Sequence, residues 1–558
     1  MSMEVRVADL VGKTLARLGV GHVFGVVGSG NFDVTNALIK EGIPYTAARH
    51  EGGAATMADA YSRMSGKVGV ATTHQGCGLS NAVTGIGEAA KSRTPLIVLT
   101  ADTQGAAVRS NFKIDQDGLV RSIGAVPERI HSAETAIADT VRAFRTAVNE
   151  RRTVVLSLPL DVQGASAADL VHTVQVREAA RIRPDSASVE KLAALISKAQ
   201  RPVFVAGRGG RGARENILAL ARHAGALVAT SAVASGLFNG DTHNLGISGG
   251  FSSPLTAELI TDADLIVGWG CTLNMWTMRH GRLISPGTTV VQVDVEDASL
   301  GANRPIALGV LGDSALTADD ALDALRRIQP APAEKYRTEQ TALDIKQRAR
   351  WRDVETPDLS TAASIDPRVL SRELDSILPA NRIVAVDSGN FMGYPSQYLA
   401  VPDEFGFCFT QAFQAIGLGL YTAIGAAIAQ PGRLPVLGAG DGGFLMGISE
   451  LETAVRLKLP LVCIVYNDAA YGAEVHHFAE NHGPEDLASV SFPETDVAAI
   501  ARGYGADGVT VRTLEDLQPV RDWVSVLREG KQDRPLVIDA KIASDGGAWW
   551  LAEAFQGH

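Results

Sequence analysis

Apolar residues follow two alternating rhythms along most of this chain. Short uninterrupted runs such as VFGVV, PLIVL, PVFVA, LIVGW, IVAVD and LPLVCIVY read as strands buried on both faces. Stretches such as VADLVGKTLARLGV, with Val7, Leu10, Val11, Leu15 and Leu18 at helical spacing, read as amphipathic helices. The two kinds of segment succeed one another almost end to end, which predicts parallel sheets covered by helices on both faces. The rhythm breaks at 164–186, which lacks a sustained strand–helix unit, and at 328–366, where proline, charge and Ser/Thr combine, and both stretches read as linkers. The expected fold is therefore α/β, with three doubly wound parallel-sheet domains at 1–165, 186–328 and 366–545 and a tail at 546–558. Each block carries strands with turn residues at their C-terminal ends, the edge where open α/β sheets bind ligands.

Composition acts on this picture mainly by exclusion. A chain of 558 residues exceeds what one core holds, and 46% apolar, 20% charged residues and 57 glycines suit an enzyme with many tight strand-to-helix turns. The net charge of −11, with no basic stripe, argues against general binding to nucleic acid or an anionic membrane, so any phosphate must be held locally. Cys77, Cys271, Cys408 and Cys463 are scattered, which favours neither a zinc site nor a disulfide framework and fits a reducing compartment. No run approaches the roughly 18 apolar residues of a membrane span, and the N-terminus lacks the layout of a signal peptide. A cytoplasmic location is the expectation.

One stretch concentrates chemistry. The apolar run LPVLGA ends at Gly440-Asp441-Gly442-Gly443, and a helix is expected to start near Ile448. Glycines there let backbone N–H groups approach an anion, and the helix adds its positive end. The next apolar run, LPLVCIVY, delivers Asn467 and Asp468 to the same edge, one strand–helix–strand unit further on. Two carboxylates beside an anion-binding turn suit Mg²⁺ with a phosphate ligand. Taken alone, a Gly-Asp-Gly after a strand also reads as a simple turn.

With its Asn-Asp partner, this block resembles the diphosphate-binding domain of thiamine diphosphate enzymes, the group containing acetolactate synthase, pyruvate oxidase, benzoylformate decarboxylase and pyruvate decarboxylase. The similarity covers all three blocks in order. It implies a pyrimidine-binding domain, a middle domain and a diphosphate-binding domain, with thiamine diphosphate held between subunits of a homodimer or homotetramer. It further implies Mg²⁺ on Asp441, Asp468 and the Ala470 carbonyl, and cofactor contacts from Gly389, Asn390, Gly440, Gly442, Gly443 and Tyr471. Asp468 departs from the family's usual asparagine and adds negative charge beside the metal.

The segment RHEGGAATMADAYSRMSG resembles the family's segment for the glutamate that hydrogen-bonds the cofactor's pyrimidine, which makes Glu51 the candidate. Glu51 by itself reads as a first-turn carboxylate facing a helix dipole. Its helix shows a small-residue face of Ala54, Ala55, Ala58 and Tyr61. In QAFQAIGLGLYTAIGAA the resemblance places the residue that bends the cofactor at Ile416, with the Gln414 carbonyl toward the pyrimidine amine. The alternative for Ile416 is plain helix core.

His74 and Gln75 in TTHQGCGLSN, and Glu474 in AAYGAE, are candidates for acting on the substrate. His74 stands where benzoylformate decarboxylase has an active-site histidine, and Glu474 where pyruvate decarboxylase relatives carry a glutamate. The alternatives are a structural hydrogen-bonder and an exposed carboxylate. The expected reaction is cleavage or formation of a C–C bond next to a carbonyl, as decarboxylation of a small-molecule 2-oxo acid, as carboligation, or as a lyase reaction of the 2-hydroxyacyl or benzaldehyde type. In the middle block, Gly207-x-Gly209-x-x-Gly212 follows a strand like a dinucleotide fingerprint, but no acidic residue follows at ribose distance. FAD stays open but is disfavoured by CTLNMWTMRHG where flavin-type relatives carry a different run, and a nicotinamide dehydrogenase rests only on the glycines. A non-catalytic paralogue is the rival from another class. Trp549 and Trp550 in the tail either close over a site or anchor the terminus.

Overall fold

The computed structural model describes residues 4–175, 179–479, 481–548 and 551. Its frame is three parallel six-stranded sheets flanked by helices. The N-terminal sheet runs, in spatial order, Tyr45–Ala47, His22–Gly25, Gly69–Thr73, Leu96–Asp102, Thr153–Pro159 and Val126–Arg129. The C-terminal sheet runs Phe407–Phe409, Arg382–Val386, Leu434–Gly440, Val462–Asn467, Leu536–Lys541 and Asp507–Val511. Both follow the same winding, with the second strand added on one side of the first and the third on the other. The central sheet instead runs Asn244–Ile247, Leu227–Thr230, Pro202–Ala206, Leu265–Trp269, Thr289–Asp294 and Leu308–Leu311. That is the dinucleotide-fold order, in which the first three strands wind one way and the last three the other.

The apolar runs form these strands because both faces are covered. Val384, Val436, Val462, Ile464 and Ile538 pack on one side of the C-terminal sheet, and Leu437, Cys463, Val465 and Val537 on the other. The alternation matches the two-residue period of a strand.

The N-terminal and C-terminal sheets share a core. Helix Glu51–Ser65 and helix Gly419–Ala429 occupy equivalent places in the two windings and pack face to face. Ala54, Ala55, Ala58 and Tyr61 are all buried there beside Leu420, Tyr421 and Ile424. The approach is closest where a β-carbon on Gly425 would meet the Met57 carbonyl oxygen at 2.3 Å. Small residues therefore set the distance between the two domains.

The stretch 328–366 is more than a connector. It contains helix Glu339–Arg348, capped by Thr338, and Ile345 and Ala349 join the core under the central sheet. In 164–186, Ser166–Ala168 pairs antiparallel with Glu4–Arg6. Trp549 and Trp550 lie outside the described residues. Among the described residues no helix is long and apolar enough to cross a membrane, and the four cysteines are free.

Gly425→Ala is expected to lower the thermal unfolding midpoint. Overpacking against the Met57 backbone costs about 1–3 kcal/mol, against a gain of at most about 1 kcal/mol in helix propensity. An unchanged or raised midpoint in differential scanning calorimetry contradicts the packing described.

Candidate active site

In an open α/β sheet the crevice lies where the winding reverses. In the C-terminal sheet the reversal falls between Arg382–Val386 and Leu434–Gly440, so the turns after these strands, Asp387–Asn390 and Gly440–Gly443, flank one crevice. Gly440 pairs with Tyr466 in the last rung between neighbouring strands, which leaves Asp441 beside Asn467 and Asp468 just beyond.

The helix expected near Ile448 begins earlier, at Asp441. Gly440 is its extended N-cap, helix Asp441–Gly447 follows directly, and Ser449–Arg456 continues after Ile448. Asp441 thus stands in the first turn, where the helix's exposed N–H groups and dipole favour a negative group. It is buried, and its Oδ1 has no hydrogen-bond partner among the described residues. The Asp468 carboxyl lies within hydrogen-bonding reach of it. Burial raises the Asp441 carboxyl to about 6. Desolvation and the Asp441 charge raise Asp468 to about 7. Asp468 is open to the crevice, so the charge of its neighbour is the cause that weighs most.

The turn beyond Asp468 is braced from beneath. The Asn467 amide donates to Asp539 Oδ1 at 2.8 Å and its Oδ1 accepts from Ala469 N at 3.1 Å. Asp539 is paired with Lys541 at 3.1 Å. Ala469 takes a left-handed φ of 55°, and Ala470 forms a bridge with Ser491 that uses the Ala469 carbonyl and the Tyr471 N–H but not the Ala470 carbonyl. The Tyr471 ring covers Gly442, where a β-carbon would meet it at 2.6 Å. Across the crevice, buried Asn390 accepts at Oδ1 from Ala548 N at 3.0 Å, so the chain near its end crosses this rim. Gly389 precedes Asn390 at the same turn, with φ 145°.

Gln414 also has a left-handed φ, 58°. Ile416 is 39% exposed, which excludes the plain-core alternative in the single chain. Next to it, Gly417 N donates to both oxygens of Asp387 at 3.0 and 3.1 Å. Asp387 is fully buried, and burial pushes its carboxyl up to about 6 against these amide donors. Sequence reasoning missed Asp387, although it stands in VDSGN next to residues that were singled out.

In the N-terminal sheet the reversal lies between His22–Gly25 and Gly69–Thr73, and it brings the turn at Gly28–Asn31 against His74 and Gln75. His74 Nδ1 faces the Gln75 carbonyl at 3.0 Å, Nε2 faces Ser29 Oγ at 3.4 Å, and the ring stands edge-on to Phe112. A carbonyl only accepts, so Nδ1 carries the proton in the neutral ring and Nε2 presents its lone pair. Gln75 turns inward. It is 3% exposed, and its amide oxygen, which lies against Gly30, has no hydrogen-bond partner among the described residues. Glu51 opens helix Glu51–Ser65, is half-buried, and accepts from the Asn81 amide at 3.1 Å. Glu474 is half-buried in the first turn of helix Gly472–Phe478.

At the central sheet's reversal the turns after neighbouring strands approach closely. A β-carbon on Gly207 would meet the Gly270 carbonyl at 2.4 Å, and one on Gly209 the Gly270 Cα at 2.8 Å. The glycines of this turn are required by that backbone packing.

Three family models match the chain in order. They are the thiamine pyrophosphate enzyme N-terminal TPP binding domain over residues 5–119, the central domain over 189–325 and the C-terminal TPP binding domain over 387–540. The chain is 29% identical to a sulfoacetaldehyde acetyltransferase of Alcaligenes xylosoxydans xylosoxydans, across 91% of this chain and 88% of that protein. It is 27% identical to an acetolactate synthase of Bacillus subtilis (strain 168), across 96% and 93%. It is 30% identical to a Pseudomonas aeruginosa protein named "Probable 2-ketoarginine decarboxylase AruI", across 90% and 89%. The two crevices, their order along the chain and these matches agree, and the chain belongs to the thiamine pyrophosphate enzyme family.

Proposed function

We propose that the protein uses thiamine diphosphate with Mg²⁺ to break or form a C–C bond next to a carbonyl, by decarboxylating a 2-oxo acid or ligating the fragment to an acceptor. The observation that carries this reading is the buried, unpartnered Asp441 oxygen beside a second carboxyl at a helix N-terminus. Such a pair gains by coordinating a hard cation, and Asp441, Asp468 and the Ala470 carbonyl would hold it. Gly389, Asn390, Gly440, Gly442 and Gly443 would take the diphosphate, with Tyr471 closing the turn. When bound, thiamine diphosphate supplies a carbon nucleophile that adds to a carbonyl and accepts the electrons of the bond that breaks.

Around that chemistry the side chains orient and move protons. Glu51 would hold a proton against the pyrimidine ring, Gln414 would accept from its amine, and Ile416 would keep it bent. His74, whose Nε2 lone pair can take up a proton from solvent, would then deliver that proton to the product carbon. That favours decarboxylation or lyase chemistry over an oxidase. Glu474 would assist from the other wall. Phe413, Ile416 and Met446 are 40%, 39% and 50% exposed in the single chain, which supports a site completed by a second copy in a homodimer or homotetramer. We take the location to be cytoplasmic.

A panel of 2-oxo acids, with and without aldehyde acceptors, tests the reading through CO₂ release and ligated product. Glu51→Gln is expected to lower kcat by about 10²–10⁴-fold with thiamine diphosphate affinity nearly unchanged, and equal turnover in the two proteins refutes the role.

Mg²⁺ binding in the presence of thiamine diphosphate carries a second test. The folded carboxyls hold protons to higher pH than free aspartates, so metal must displace protons below the raised values of about 6 and about 7. Affinity is expected to fall as pH drops through that window, by about tenfold per pH unit for each proton displaced. Asp468→Asn removes one titrating group and its repulsion, so its calorimetric affinity should vary less with pH. An equally steep profile in that variant contradicts the pairing.

A further inference from the structure

Residues 411–416, which carry Gln414 and Ile416, form a loop with most side chains exposed. Its backbone donors nevertheless point inward to buried carboxylates. Ala412 N donates to Glu88 Oε1 at 3.1 Å and Phe413 N to Glu88 Oε2 at 2.7 Å. Gly417 N, at the far end, is held by Asp387. At the root, Arg63 Nη1 donates to the Phe409 carbonyl at 2.9 Å. The N–H groups of Ala412, Phe413 and Gly417 are thereby turned away from solvent.

Glu88 comes from another domain, on helix Val83–Lys91 of the N-terminal block, and it is fully buried. Besides the two loop amides it accepts from Arg63 Nη2 at 2.8 Å and Ser92 Oγ at 3.2 Å. Neutralising Arg63 does not account for it. Asp59 already takes Arg63 in a two-pronged pair at 2.8 and 2.5 Å, and the Glu88 charge acts against that buried Asp59 carboxylate. Arg208 and Arg211 also lie close to Arg63, so Glu88 opposes Asp59 but offsets part of a positive charge. Charge alone does not set its geometry, and its distinct contribution is the hold on Ala412 and Phe413.

We propose that Glu88 is a positioning residue for the bound cofactor, clamping Ala412 and Phe413 so that Gln414 presents its carbonyl and Ile416 its side chain to the crevice. The inference rests on the functional reading above. It also makes a prediction about the bare loop that does not depend on that reading: the Ala412 and Phe413 amides exchange slowly although their side chains are exposed.

Hydrogen exchange resolved to single amides, on the full-length wild type, E88Q, E88D and S92A, tests this. Glu88→Asp keeps the charge for Arg63 but withdraws the oxygens from the loop, and Ser92→Ala removes a Glu88 bond that does not reach it. In E88Q and E88D, with folding checked by thermal midpoint, exchange at 412–413 should rise about tenfold or more. Their kcat should fall by about 10²-fold, while the thiamine diphosphate Kd stays within about threefold; S92A should resemble wild type. Fast exchange at 412–413 in the wild type overturns the proposal even if no variant folds. So does unchanged kcat or unchanged protection in folded E88Q and E88D. A wild type with protected amides that binds no thiamine diphosphate overturns the functional reading and, with it, the cofactor role of the clamp.

Discussion

Two carboxyl groups held side by side at the mouth of one crevice repel each other and resist ionisation, and most of the surrounding structure serves to keep Asp441 and Asp468 there. The parallel register that ends at Gly440 and Tyr466 brings them together. The helix that starts at Asp441 offsets part of the cost with its positive end. The brace of Asn467, Asp539 and Lys541 keeps the second turn from relaxing, at the expense of a left-handed Ala469. An arrangement of this kind is unfavourable in the free protein, and on the proposed reading a bound cation would relieve it, so that ligand and fold would stabilise one another.

The same winding used twice explains how the other candidate site residues are distributed. The N-terminal and C-terminal sheets each put two turns at the reversal of strand order, one set carrying Ser29, His74 and Gln75, the other Asn390, Asp441 and Asp468. Equivalent helices from the two windings meet through alanine and glycine, which lets their backbones come close enough for side chains of one domain to bond the backbone of the other. Glu450, fully buried, accepts from Arg49 N and His50 N just ahead of Glu51, and Glu88 reaches Ala412 and Phe413 in the opposite direction. Each domain thus holds a turn that belongs to the other. The central domain has the dinucleotide winding, with Gly207 and Gly209 packed closely on Gly270.

Much of this was legible in the residues alone. Central strands announce themselves as continuous apolar runs because burial on both faces leaves no other choice, and the spacing from Asp441 to Asp468 matches one crossover unit. The edge strands Val126–Arg129, Phe407–Phe409 and Asp507–Val511 were not singled out, since they are short and most are only half-covered. The segment at 328–366 hid a helix because its polar face dominates the local composition. The start of the helix at Asp441 was misjudged because three glycines surround that residue, and glycine weakens any local helix signal.

The sequence by itself determined the three α/β blocks, the glycine turn with its two acidic partners, and the place of Glu51 at the first turn of a small-residue helix. These are local patterns, set by side-chain period and backbone freedom. Only the tertiary structure decided that Gln75 is buried, that Ile416 is exposed, and that Asp387 and Glu88 grip opposite ends of the loop carrying Gln414. A buried carboxylate bonded to backbone amides 30 residues away, as Asp387 is, or 324, as Glu88 is, leaves no periodicity and no motif, because its partners are N–H groups that every residue but proline has.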